Sequence, residues 1–94
     1  MNMRSHVELV LRSKMAIEHM EVGDDSDEHA GHAGSSGGGH FVVLVVSPSF
    51  EGKSLVDRQR SVMALFDAEL RSGAIHAMAL TTRTPSEWAG ASKR

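Results

Sequence analysis

Six histidines in a chain without cysteine or tyrosine are the side chains best equipped for chemistry. Imidazole ligates borderline metals such as zinc, copper and iron, and it exchanges protons near neutral pH. His29 and His32 lie in a glycine-rich stretch beside Asp24, Asp25, Asp27 and Glu28. Each is either a metal ligand on a pliable loop or a solvated polar side chain. His40 opens an apolar run and reads as a strand-end residue or a ligand. His76 stands between Ile75 and Ala77 in a second apolar run. A buried imidazole without a hydrogen bond is costly, so His76 is either satisfied inside the protein or faces outward at a site. His6 and His19 read as exposed residues at a helix end and a strand edge.

A second group is basic. Lys53, Arg58 and Arg60 follow a turn at Glu51-Gly52 and fall on the first part of a helix. There they either meet phosphates or acidic partner groups, or cap a solvated helix start and pair with Asp57 or the acidic loop. Gly52-Lys53-Ser54 resembles the end of a phosphate-binding loop, but the earlier glycine and its spacer are missing, which excludes that form of nucleotide hydrolysis. No serine stands in a nucleophile-elbow context, so no catalytic residue can be named and a non-enzymatic role is expected. The lack of cysteine removes disulfides, thiolate nucleophiles, zinc fingers and any iron–sulfur site built from this chain alone. A thiolate ligand would have to come from another molecule.

The elements that position these residues are legible from periodicity. Ser5 and Glu8 have capping-box spacing, and Val7, Val10, Leu11 and Met15 follow at helical steps, predicting a helix that ends near Ile17. His19–Val22 alternates as a short strand. Residues 23–39 hold no large apolar side chain and read as a flexible loop, while Phe41–Val46 is an unbroken strand run, covered on both faces or central in its sheet. The loop then joins antiparallel strands. Ser54 and Asp57 start a helix whose apolar positions Val62, Met63, Phe66 and Leu70 run as one unit to a Gly73 cap. Ala74–Thr82 is a third strand, parallel to a neighbour through a right-handed crossover. Thr84, Pro85 and Glu87 announce a last helix before Trp88 and a tail at 89–94. The result is one α+β domain over 1–94, α-β-β-α-β(-α), with a three-stranded mixed sheet.

Ninety-four residues leave room for one small core, and three Phe with one Trp make it largely aliphatic. A net charge of -2 disfavours polyanion binding by bulk charge. No run approaches a membrane span and the start lacks a signal-peptide pattern, so a cytoplasmic protein is expected, with an organellar matrix as the alternative.

Several motifs in one order carry a resemblance: Asp24-Asp25-Ser26, His29-Ala30-Gly31-His32, His40-Phe41, Phe50-Glu51-Gly52-Lys53-Ser54-Leu55, Arg58-x-Arg60, Ile75-His76-Ala77 and Thr84-Pro85-x-x-Trp88. The chain resembles the BolA family from its first helix to Trp88. The resemblance implies a fold related to type II KH domains. It also implies pairing with a monothiol glutaredoxin and a shared [2Fe-2S] cluster, whose sulfur ligands come from the glutaredoxin cysteine and glutathione. The BolA-like side would supply His76 from the third strand and His29 from the loop, with His32 as the alternative, and the isolated chain would hold no cluster. Mixed sulfur and imidazole ligation is known iron–sulfur chemistry. Members often carry Arg-His-Arg where this chain has Arg58-Gln59-Arg60, so any role of that middle imidazole is lost here. The alternative reading is a nucleic-acid-binding regulator, contacting through Lys53, Arg58 and Arg60. The acidic loop and the lack of a Gly-x-x-Gly segment between helices stand against it. A homodimer is also open; a membrane role is not expected.

Overall fold

The computed structural model describes residues 2–25 and 39–92. Helix α1 spans Met3–Lys14, and its cap is Asn2, whose Oδ1 accepts the Ser5 N–H at 2.8 Å. The helix starts one turn earlier than a Ser5 cap predicts. Asn2 satisfies an N-terminal donor that Ser5, already helical, cannot. The helix also ends before Ile17, because Met15 turns extended and lets Met15 and Ile17 fold back onto the core.

Three strands follow: β1 (His19–Asp24), β2 (Gly39–Val46) and β3 (Ile75–Arg83), in the order β1-β2-β3. β1 and β2 pair antiparallel from His19↔Val46 to Asp24↔Phe41, and β2 and β3 pair parallel. The sheet is therefore mixed, with the Phe41–Val46 run at its centre, as periodicity predicts. It is not covered on both faces, since Val42 is 49% exposed. Gly23 and Asp24 belong to β1 and Gly39 to β2, so both strands reach into the predicted loop; residues 26–38 of that loop, with His29 and His32, lie outside the described residues.

The crossover from β2 to β3 is two helices, α2 (Leu55–Ala64) and α3 (Asp67–Ser72), not one. At the junction the Leu65 and Phe66 N–H groups bond to Val62 and Met63, both at 3.0 Å, tightening the last turn of α2. Phe66 leaves helical geometry there, with φ -114° and ψ 21°, and its ring is fully buried. Apolar spacing alone cannot reveal that break, because a tightened turn keeps Val62 and Phe66 on one side. Gly73 closes α3 at φ 85°, the predicted left-handed cap. Helix α4 (Pro85–Ser92) begins with a reciprocal capping box: Glu87 N–H donates to Thr84 Oγ1 at 3.2 Å, and Thr84 N–H donates to Glu87 Oε1 at 2.9 Å.

The core lies between one sheet face and the helices. Val7 and Leu11 of α1, Val62 and Phe66 from the crossover, and Phe41, Val43, Val45, Ile75 and Met78 of the sheet pack there. Among the described residues the opposite sheet face carries α4 alone, at one end, where Trp88 stacks on His19 with ring centroids 4.9 Å apart.

Candidate functional site

His76 owes its position to a fault in the strand register. Gly39 opposes Ile75, but His40 opposes Ala77, so His76 is an extra residue in β3. Such a bulge swings its neighbours out of strict alternation. Ile75 and Met78 are both buried, and His76 and Ala77 between them are both exposed. In a regular strand one of those two would point into the core. Gly39 is required at this place, because a Cβ there would come within 2.3 Å of the Phe41 ring. Its missing side chain lets Phe41 fold back under the strand while His40 emerges on the other face.

The bulge sets two imidazoles side by side. His40 and His76 stack with ring centroids 4.9 Å apart and planes inclined by 29°. The Asp25 N–H donates to the His40 carbonyl at 2.8 Å, so the base of the β1–β2 loop lies next to the pair. Among the described residues, no three His, Asp or Glu side chains stand close enough together to hold a metal ion. The histidine pair can orient a ligand nitrogen, but a metal bound at this place needs further donors.

The three basic residues do not share one exposed patch. Arg58 leaves the surface: its Nε donates to the Lys53 carbonyl at 3.0 Å, and its Nη1 and Nη2 donate to the Glu87 carboxylate at 2.7 and 3.3 Å. The guanidinium also lies over the Phe50 ring, 5.9 Å from its centroid. It is 7% exposed, and its partner among the described residues is Glu87 rather than Asp57. The bond from Arg58, supported by the Thr84 N–H, holds the Glu87 carboxyl down at about 2. The pairing in turn raises the Arg58 pKa. Lys53 and Arg60 remain exposed, Arg60 beside the apolar Leu55 and Val56.

Two further histidines differ from their sequence reading. His6 bonds from α1 to Glu69 of α3, which lowers the Glu69 pKa. His19 is held between Trp88 and the Glu21 carboxylate, the latter at 2.8 Å. Both are partnered and only half exposed, because tertiary packing brings Glu69 to His6 and Trp88 to His19, at sequence separations that give no signal. The sequence singles out His40 and His76 individually; their adjacency depends on the bulge, for which the run of glycines before His40 is the one local hint.

A family model described as BolA-like protein matches residues 11–87. The chain is 45% identical over 74 residues to SufE-like protein 1, chloroplastic/mitochondrial, of Arabidopsis thaliana, a match covering 72% of this chain and 20% of that protein. It is 38% identical over 90 residues to the DNA-binding transcriptional regulator BolA of Escherichia coli (strain K12), covering 96% of this chain and 83% of that one. The solved structure of BolA1 from Arabidopsis thaliana matches with a TM-score of 0.80 at 37% identity, over 93% of this chain and 96% of that one. The chain thus spans as little as a fifth of the length of the curated relatives it matches. No helix among the described residues is long and apolar enough to cross a membrane.

Proposed function

Because the chain belongs to the BolA family, we propose that it is a non-enzymatic adaptor that pairs with a monothiol glutaredoxin and contributes imidazole to a shared [2Fe-2S] cluster. Its role would lie in assembling, trafficking or sensing such clusters. The observation that carries this reading is the bulge that turns His76 outward with its ring stacked on His40. A rigid strand holds the ligand, and the second imidazole limits its rotation. The donor set fits: the chain has no thiolate, so it can complete a cluster only beside a partner that brings sulfur. His29, with His32 as the alternative, is the proposed second ligand. The cytoplasm is the proposed compartment, with an organellar matrix as the alternative that the chloroplastic/mitochondrial relative supports.

The test mixes this protein with a monothiol glutaredoxin, glutathione, iron and sulfide without oxygen, and follows visible absorption and circular dichroism. A spectrum distinct from that of glutaredoxin alone, lost with His76→Ala while the fold persists, is expected. An unchanged glutaredoxin spectrum and no complex would overturn the reading.

The name of the Escherichia coli relative favours a second reading, DNA binding. With Arg58 committed to Glu87, the binding of phosphate would fall to Lys53 and Arg60. Replacing both by alanine should then reduce the slope of log affinity against log salt by about 0.9 for each phosphate that is no longer neutralised.

A further inference from the structure

The sheet has one face packed on α1–α3 and another on which α4 covers a single end. The pairing partners of that second face can be read from the register. Val42 opposes Gly23 of β1 and Ala79 of β3, and Leu44 opposes Glu21 and Thr81. A Cβ placed on Gly23 would lie 3.9 Å from the Val42 Cβ, an ordinary contact, so the bare β1 backbone leaves that side of the valine uncovered. The ionised side chains on this face among the described residues are Glu21 and, at the α4 end opposite Val46, Arg83. Val42, in the central strand, is 49% exposed. Alanine, glycine and a half-bare valine make a flat apolar surface, while the apolar positions on the other face are closed under helices. Central β-branched positions that stay wet in one molecule are places another molecule can cover.

We propose that this face, which carries no helix among the described residues between the His40–His76 pair and α4, is the docking surface for the thiolate-bearing partner that completes the histidine site. The inference rests on the adaptor reading and adds the surface through which the partner is held. Its argument is continuity: His40 is two residues from Val42 on the same strand and face, and Ala77, beside His76, is two residues from Ala79. A donor that reaches a metal held by His76 must stand over this end of the sheet. The partner body then extends along the face toward α4, where Trp88 on His19 forms a raised border. Small side chains suit a close approach of backbone. The scarcity of charge means that binding here depends on apolar contact and responds little to salt.

The test measures the affinity of a monothiol glutaredoxin for wild type, Val42→Glu, Ala79→Glu and Val56→Glu, with far-ultraviolet circular dichroism and sedimentation of each protein alone. Val56 is an exposed residue of α2, on another surface, and serves as the control. A charge on the central strand or on the edge strand should weaken the complex at least about tenfold, with Val56→Glu unchanged and every variant folded. Should both face variants bind normally while His76→Ala still removes the cluster spectrum, the docking surface is wrong and the adaptor function stands. Absence of any complex with wild type would overturn both. A wild-type dimer that Val42→Glu dissociates, with glutaredoxin affinity unaltered, would assign the face to a second copy of this chain and overturn the proposal.

Discussion

Arg58 shows how one side chain can hold two parts of the chain in place. It ties the start of α2 to the start of α4 through Glu87, and Glu87 is at the same time the capping-box acid of α4. Removing the guanidinium therefore loosens both the junction and the cap, and Arg58→Met is expected to lower the melting temperature by several degrees. The pH response has a definite sign. Glu87 titrates at about 2 in the folded chain against an ordinary value of 4.5, so its contribution is fully present above about 4.5 and is lost as pH falls from there toward 2. Acid titration of Glu87→Gln should show a flatter loss of stability across that window than wild type, followed by circular dichroism. The capping half of this arrangement was legible from Thr84 and Glu87, three residues apart. The ion-pair half was not, because a pairing between residues 58 and 87 exists only once α2 and α4 are packed together. Gly39 gives a second test. Gly39→Ala should push the Phe41 ring out of place and cost about 1–3 kcal/mol, measured by urea unfolding, and it should disturb the His40–His76 stack that the bulge creates.

At the level of elements, patterning located every strand and the direction of each pairing. Alternation and a β-branched run distinguish the edge strand β1 from the central β2, and a helical crossover requires β3 to be parallel. Boundaries and interruptions were less legible. The capping residue of α1 lies outside the expected box, and the crossover helix divides at Phe66, where local turn geometry competes with a spacing that fits a continuous helix. The division has an energetic purpose, since it places the Phe66 ring fully inside the core. Phe66→Ala should cost about 3–5 kcal/mol in chemical denaturation, near the limit of what so small a domain tolerates. Gly73→Ala is expected to cost about 1 kcal/mol from the left-handed backbone at the end of α3, without touching the histidine site. Together the two variants separate loss of packing from loss of conformational freedom.

The molecule as a whole is two layers with an unequal division of labour: helices close one sheet face, and the other presents the bulge and its imidazoles. Composition already limited the chain to a single small core and excluded a self-sufficient thiolate centre. It could not say which sheet face stays open, because that depends on where the crossover helices pack. Trp88→Ala should free α4 from that open face, seen as faster amide exchange in α4 with the α1–α3 layer unchanged. The β1–β2 ladder holds its register through six residue pairs and closes at the Asp25–His40 bond, so the chain leaves β1 and enters β2 at adjacent points. The entropy of closing a flexible connection grows only logarithmically with its length, and doubling it costs about 0.6 kcal/mol. Sequence can therefore be inserted or exchanged between residues 26 and 38 while the sheet keeps its register. Under the proposed role, the donors that stand beside His76 can diverge on an unchanging scaffold.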